Sequence, residues 1–362
     1  MSQLLNEIQW GEPILQPITD LAWEAEVKRR AGRVGEIDRR VAPNKWLREA
    51  CVALSCYRPS HISQRLFNIG SLVTAQENSC RYCYGANRAF MKILGYSESF
   101  ISRIERDAHV AELDDKERAF IAFCRNLARS RPRPAREERD KLIRLGYSAL
   151  TVNEIAFVIA CGCFYNRIGV LTACPPELGF ERVANGFIGR LLGLVGPLVR
   201  AATTTRARPT PVLDVETLRS GAFGEVVVTL SGLPAATVMK VALDGAFAPT
   251  VLSRASKALM FAVVARALVC RHSEAAARKM LAQENFDASE VEAALATLDS
   301  ARLPSSESRL LPWARATVHY QSFAIQEQTR ALTAEIGDSA ALEAIGIAAL
   351  ANAMVRLAML LE

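Results

Sequence analysis

The sequence predicts an all-α protein made of two related helical halves. Apolar residues recur at helical spacing through most of the 362-residue chain, and patterns typical of strands are scarce. Aromatic residues make up only 7% of the chain while Ala and Leu are plentiful, which favours closely packed helices over a sandwich or barrel. A chain of this length is long for one helical core and comfortable for two.

The predicted elements follow in order after a lead-in. Helices are expected over residues 46–56, 63–77, 80–94, 115–129, 137–145 and 152–171. Pro59 closes the first helix, Asn78 and Ser79 separate the second from the third, and Gly95 is a natural C-terminal stop. Residues 224–230 are the one candidate for a short strand, with other interpretations open.

The pattern of the first half returns in weaker form in the second. Pro59 lies 21 residues before Cys80, and Pro249 lies 21 residues before Cys270. The second copy has Ser273 where the first has its second motif cysteine, so it cannot run dithiol chemistry alone. We therefore divide the chain into a lead-in at 1–40, a helical domain at 41–200, a linker at 201–234 and a second, degenerate helical domain at 235–362.

Composition argues against several classes of function. The formal charge of +6 comes from 44 basic and 38 acidic residues that are interspersed, without the dense basic stripe that indicates nucleic-acid binding. The N-terminus lacks the cationic start and apolar core of a signal peptide. Residues 341–361 come closest to a membrane span but contain charged residues, and we expect a buried helix there. Nine cysteines, an odd number, do not resemble a secreted disulfide framework. We expect a cytoplasmic protein that binds neither nucleic acid nor membrane.

Cys80 and Cys83 form a Cys-x-x-Cys motif at the predicted start of a helix. Sulfurs one helical turn apart can close a small disulfide ring. The N–H groups at a helix N-terminus stabilise a thiolate, and Arg81 could add to that effect. Such a thiolate attacks a peroxide or disulfide, and the second cysteine resolves the product. The alternatives are two buried packing residues or half of a zinc site.

The run ENSCRYCYGANRAFMKILGYS resembles the active-site segment of AhpD-like proteins in the carboxymuconolactone decarboxylase superfamily. VAPNKWL upstream and FYNRIGVLTACPPE downstream add to the resemblance, which is firmest over residues 40–185 and weaker over 235–362. It implies an all-α fold, assembly as trimers or hexamers, and reduction of hydroperoxides or exchange of disulfides. It also implies that Cys83 meets the peroxide and Cys80 resolves it. Helix-end electrostatics alone favours Cys80 as the more acidic thiol.

The chain departs from the family pattern at two positions. The family has a Glu twelve positions before the motif and a His four positions after its second cysteine, and these two groups form a proton relay. Asn68 and Asn87 stand at those positions here, and Asn cannot titrate or act as a general base. We therefore expect peroxidase turnover to suffer more than disulfide exchange. His61 could supply a substitute base, and Tyr82 could line a pocket.

Two further cysteines, Cys161 and Cys163, lie in the predicted long apolar helix. At about 100° per residue their side chains point roughly 200° apart, which favours inert packing. The alternative is that one of them approaches the Cys80–Cys83 site as a third redox thiol or a metal ligand.

The leading hypothesis is a thiol-dependent oxidoreductase without a cofactor. Its substrate would be a small peroxide or disulfide, and a thiol protein or small thiol would recycle it. Because two fused copies reduce the number of chains in a ring, we expect a homo-oligomer, a dimer or a trimer. The competing hypotheses are a non-redox, decarboxylase-like or biosynthetic enzyme acting on a small acid, and a binding protein whose catalytic site has decayed.

Overall fold

A computed structural model describes residues 2–106, 113–131, 134, 136–187, 189 and 210–361. Every regular element among these residues is a helix, which confirms the all-α class. The strand expected at residues 224–230 is wrong, because Gly224–Val228 forms a short helix. Val226 and Val227 are both buried, and a short apolar run does not by itself distinguish a strand from a buried helix.

The described helices of the first half include all those predicted there. They are α1 (Leu21–Ala31), α2 (Glu36–Val41), α3 (Lys45–Ser55), α4 (Gln64–Glu77), α5 (Arg81–Ile93), α6 (Glu98–Arg106), α7 (Asp115–Arg129), α8 (Arg136–Arg144), α9 (Ala149–Leu171) and α10 (Leu178–Asn185). Four of them, α1, α2, α6 and α10, have no counterpart among the predicted helices. The first two occupy the predicted lead-in.

A sharp corner joins α4 to α5 and places the Cys-x-x-Cys motif. Asn78 caps the end of α4, and Ser79 adopts a left-handed backbone with φ of 46°. The backbone N–H of Cys80 then donates to the carbonyl of Ala75 at 3.1 Å, which closes the turn. Cys80 is consequently the N-cap of α5, with extended backbone, and the helix begins at the next residue.

The second half repeats the helix order of the first. Its described helices are α11 (Val215–Arg219), α12 (Gly224–Val228), α13 (Pro234–Ala246), α14 (Arg254–Ala267), α15 (Arg271–Gln283), α16 (Ala288–Thr297), α17 (Ser305–Ser308), α18 (Leu310–Ala316), α19 (Ser322–Ile336) and α20 (Asp338–Ala358), followed by a 3₁₀ turn at Met359–Leu361. An offset of 190 residues relates α4 to α14 (254 minus 64) and α5 to α15 (271 minus 81). Each related pair has the same length, 14 and 13 residues respectively.

The two longest described helices, α9 and α20, pack against each other between the halves. Arg167 of α9 donates from Nε to the carbonyl of Thr317 at 3.2 Å, and Arg356 of α20 donates from Nε to the carbonyl of Ala128 at 3.1 Å. Both the arginines and the carbonyls are 189 positions apart (356 minus 167, and 317 minus 128). Each half therefore gives an arginine to the matching carbonyl of the other, as in an approximate twofold pair.

A buried carboxylate on α9 accepts hydrogen bonds from the loop before α4. A buried carboxylate on α20 does so from the loop before α14. Glu154 accepts from the Tyr57 hydroxyl and from the His61 backbone N–H, both at 2.6 Å. Glu343 accepts from the Leu252 backbone N–H at 3.0 Å. Such donors satisfy buried carboxylates that would otherwise destabilise the fold.

Two helices, Ala149–Leu171 and Asp338–Ala358, are long and apolar enough to cross a membrane by length and composition. Most of each lies inside the fold, and core helices of this kind pass the same test. Of the predicted linker at 201–234, residues 201–209 lie outside the described residues. Its later part contains α11 and α12, whose Leu218 side chain is fully buried.

Candidate functional site

A pocket of about 500 Å³ lies between α1–α5, α9 and α10. Aromatic rings form much of its wall: Tyr57, Phe67, Tyr82, Phe90, Tyr165 and Phe180. Polar and charged groups also face it: Arg33, Asp38, Ser55, Ser71, Asn87 and Asn166. Two thiols, Cys83 and Cys161, complete the set of reactive side chains that line it. The pocket is therefore largely apolar, with a few polar groups and two thiols in its wall, a composition usual for small-molecule sites.

The two motif sulfurs differ in their access to this pocket. Cys83 lines the pocket and is 8% exposed, whereas Cys80 lies behind it and is 0% exposed. The Cys80 Sγ accepts a hydrogen bond from the Cys83 backbone N–H at 3.3 Å. Both sulfurs pack on α9 at Gly169, where a Cβ would lie 3.0 Å from the Cys80 Sγ and 3.6 Å from the Cys83 Sγ. Glycine at this position leaves the space that the pair occupies.

The protonation of Cys80 differs from the expectation at a helix N-terminus. Burial raises the pKa of the Cys80 thiol well above its ordinary value, and the neighbouring Cys83 thiol raises it further. The hydrogen bond from the Cys83 N–H opposes this effect but does not overcome it. Desolvation of the buried Cys80 sulfur thus opposes the helix-end field, and the raised pKa gives no support to the expectation that Cys80 is the more acidic thiol.

Arg81 and Tyr82 both point to α10 and the loop before it. The Arg81 guanidinium forms a two-pronged ion pair with Glu181, at 2.7 and 3.0 Å. Its charge is thus compensated by a carboxylate, and the predicted stabilisation of a thiolate by Arg81 has no support in this geometry. The Tyr82 hydroxyl donates to Glu177 Oε1 at 2.7 Å, while its ring lines the pocket as expected. Arg33 pairs with the other Glu177 oxygen at 2.6 Å.

The two positions of the family's proton relay are not joined to each other here. The Asn87 side chain faces the pocket and donates from Nδ2 to the carbonyl of Cys83 at 2.9 Å. Asn68 is buried outside the pocket wall, and its Oδ1 accepts from Gln64 Nε2 at 2.9 Å. Within the described residues its Nδ2 has no hydrogen-bond partner. Neither amide can carry a proton between a base and the thiols.

His61 does not stand in for the missing base. His61 is exposed, and its backbone N–H donates to Glu154. Its side chain is not among those that line the pocket. Cys161 and Cys163 point apart as predicted: Cys161 faces the pocket, while the Cys163 Sγ is buried and accepts from Asn78 Nδ2 at 3.6 Å. One of this pair therefore does share a chamber with Cys83.

Two features of the site were not identified from the sequence. Asp38 lies on α2, within the charged stretch treated as a lead-in, yet it lines the pocket. Cys174 is fully buried after α9, and its backbone N–H donates at 2.9 Å to the carbonyl of Gly169, the residue on which both motif sulfurs pack. In the described ranges, no cluster of three or more His, Cys, Asp or Glu side chains is arranged to hold a metal ion. Asp38 accepts from the N–H of the N-cap residue Gly35, a local pattern that indicates where α2 begins but does not place Asp38 at the pocket.

No protein-family model, curated protein or solved structure matches this chain. The resemblance described above therefore depends on the quoted residues alone.

Proposed function

We propose that the protein is a thiol-dependent oxidoreductase of the AhpD-like type, in which Cys83 and Cys80 cycle between a dithiol and a disulfide. The observation that carries the proposal is the difference in access to the pocket between the two sulfurs. Cys83 opens on an apolar pocket of about 500 Å³, and Cys80 lies directly behind it, bonded to the Cys83 N–H. A substrate in the pocket can reach only one of them.

With a hydroperoxide ROOH, the Cys83 thiolate attacks the terminal oxygen and the O–O bond breaks. Cys83 becomes a sulfenic acid, and the alkoxide takes up a proton and leaves as the alcohol ROH. The Cys80 sulfur then attacks the Cys83 sulfur and water leaves, which forms the Cys80–Cys83 disulfide. An external dithiol donates two electrons and two protons to restore the pair, and is itself oxidised to a disulfide.

The buried, protonated state of Cys80 supports the role of resolving thiol. A thiol whose pKa is raised is a poor first nucleophile, because the thiolate is the reactive form. It still reacts with a neighbouring sulfenic acid that is held within one helical turn. The same order of events serves disulfide exchange, where Cys83 attacks the substrate disulfide and Cys80 displaces the mixed disulfide.

The proposal includes the partners that this cycle needs. These are a small peroxide or disulfide in the pocket and a thiol protein or small thiol as reductant, in the cytoplasm. We also propose assembly into a homo-oligomer of few chains, since the approximate twofold pairing of the halves through Arg167 and Arg356 already supplies one interface within the chain.

Turnover assays on matched cysteine variants test the proposal. We expect Cys83→Ser to abolish reduction of cumene hydroperoxide and of a small disulfide, and Cys80→Ser to allow one oxidation of Cys83 but no disulfide. Cys270→Ser is the control, because Cys270 caps α15 at the equivalent position of the second half. Full activity in both Cys83→Ser and Cys80→Ser would overturn the proposal.

A binding protein with a decayed catalytic site is the second candidate. It is favoured by the two amides, Asn68 and Asn87, at the relay positions, and by the apolar wall of the pocket. A ligand that saturates the pocket with equal affinity in the wild-type protein and in Cys83→Ser, with no turnover in either, would support it.

A further inference from the structure

The proposed cycle moves protons that the family's relay positions cannot carry in this chain. The Cys83 thiol must lose a proton before attack, and the departing alkoxide must gain one. Asn68 and Asn87 stand where the relay's carboxyl and imidazole would be, and neither amide titrates. A titratable group that faces the same pocket from another element has to do this work.

Asp38 is the carboxyl among the described side chains that line the pocket. The other titratable groups there fit the task less well. Burial raises the pKa of the Tyr57 and Tyr165 hydroxyls and of the Cys161 thiol, so none of these is ionised near neutral pH. Arg33 stays charged and is paired with Glu177.

The fold holds Asp38 firmly at this wall. Its Oδ2 accepts at 2.7 Å from the backbone N–H of Gly35, the N-cap residue of α2. Gly35 in turn lies against Tyr82, since a Cβ on Gly35 would be 3.1 Å from the Tyr82 hydroxyl oxygen and 3.4 Å from Asp38 Oδ2. The Asp38 carboxyl and the Tyr82 hydroxyl thus both lie against Gly35, at a pocket that Cys83 also lines. In the described part of the chain no hydrogen bond is made to Oδ1, which leaves that oxygen for a substrate or a water.

The surroundings of Asp38 favour its protonated form, compared with an aspartate carboxyl in water. Burial raises the pKa of Asp38, and the Glu177 charge from the loop before α10 adds to the effect. The Gly35 N–H and the charges of Arg33 and Arg39 oppose it. The further titratable groups facing Asp38 are Cys51 of α3, Tyr165 of α9 and Tyr82 of α5.

We propose that Asp38 is the proton-transfer group of the site, taking the proton from the Cys83 thiol and giving it to the alkoxide leaving group. The inference rests on the proposed thiol cycle. No electrons pass through Asp38: it gains one proton when the thiolate forms and loses the same proton when the alcohol leaves. It assigns to the short helix α2 a role that the sequence resemblance places on α4 and α5.

Two reactions of Cys83 separate this role from a structural one. Alkylation by iodoacetamide needs a thiolate but no acid, because iodide leaves without a proton. Oxidation by cumene hydroperoxide needs both the thiolate and an acid for the alkoxide. Asp38→Asn should therefore slow the oxidation by about 100-fold, the usual scale for general acid–base catalysis, and slow alkylation much less. Oxidation that is slowed no more than alkylation would show that Asp38 gives no proton to the alkoxide, and would overturn the inference.

The pH profile of Cys83 alkylation gives the second readout on the full-length protein. In the wild type we expect two rises in rate, the lower one from proton sharing with Asp38 at a pH above the ordinary carboxyl range. Asp38→Asn should remove the lower rise, and Asp38→Glu, which keeps a carboxyl, should retain it at a shifted pH. If Asp38→Asn does not fold, the Asp38→Glu profile decides: an unchanged lower rise, or none in the wild type, contradicts the role.

Failure of the inference and failure of the proposed function give different results. If Asp38 is not the proton-transfer group, Cys83 still reacts with the hydroperoxide and forms a disulfide with Cys80, with the same pH profile in Asp38→Asn. If the thiol cycle itself is wrong, Cys83 in the wild-type protein resists both reagents.

Discussion

Gly169 is the position at which the placement of both sulfurs can be tested by one added methyl group. A Cβ there would lie 3.0 Å from the Cys80 Sγ and 3.6 Å from the Cys83 Sγ. Overpacking of a buried site costs about 1–3 kcal/mol. The change from glycine to alanine inside a helix stabilises the helix by about 1 kcal/mol. We therefore expect Gly169→Ala to lower the free energy of unfolding by up to about 2 kcal/mol.

Gly179 of α10 is the matched control, because a Cβ there would meet nothing within 4 Å. Gly179→Ala should stabilise the fold by roughly 0.5–1 kcal/mol through helix propensity alone. Urea unfolding of both variants gives the comparison. Because the new methyl occupies space next to the Cys80 sulfur, Cys80→Ala should cost less in the Gly169→Ala background than in the wild type. Stabilisation by Gly169→Ala equal to that of Gly179→Ala would show that the sulfurs do not pack on α9.

Three further predictions concern the buried charges. Lys257→Met leaves the fully buried Glu343 without the ammonium group that lies 2.8 Å from its carboxylate. Urea unfolding should therefore show a free energy of unfolding lower by about 3–5 kcal/mol, and adding Glu343→Gln should recover part of that loss. An unchanged free energy of unfolding would contradict the pairing. Arg81→Met breaks the largely shielded ion pair with Glu181 and should lower the free energy of unfolding by about 1–2 kcal/mol. The rate of Cys83 alkylation should change little, and a slower rate would mean that Arg81 does act on the thiols. Burial lowers the pKa of His319 to about 4 in the folded protein. As the pH drops from 6.5 to 4, the imidazole takes up a proton in the unfolded chain but not in the folded one, so the free energy of unfolding should fall. His319→Gln should flatten that part of a stability-against-pH curve, and an unchanged slope would refute the assignment.

The helices that the sequence predicts are those with strong local signals. The helix at residues 115–129 was predicted with the bounds that the structure gives, and α4 begins one residue after the expected start at Ser63, which is its N-cap. The short α1 and α2 lack a long apolar period, and the Val-rich run at 224–228 is compatible with a strand or a helix. The local sequence pattern suffices to predict the helix at 115–129 and α4, whereas α1, α2 and the helix at 224–228 depend on tertiary packing.

The position of the Cys-x-x-Cys pair could be predicted from the sequence, but the surroundings of the two sulfurs could not. The spacing of Cys80 and Cys83 places both at a helix start, and that is where they lie. Which sulfur is buried depends on how α9 packs behind the motif, and burial raises the pKa of the Cys80 thiol against the effect of the helix N-terminus. Asp38 reaches the pocket because α2 packs on α1 and α3 and its N-cap Gly35 lies against the Tyr82 hydroxyl, a contact between residues more than forty positions apart that no local pattern reveals.

A redox titration of the wild-type protein against thiol buffers of known potential tests the Cys80–Cys83 cycle most directly. Intact-mass and peptide analysis would follow the loss of two hydrogens from the pair at each potential. We expect one reversible two-electron transition confined to Cys80 and Cys83, with a midpoint near that of thioredoxin, roughly −270 mV. Two free thiols that persist at every potential, or a disulfide that forms between other cysteines first, would contradict the proposed function.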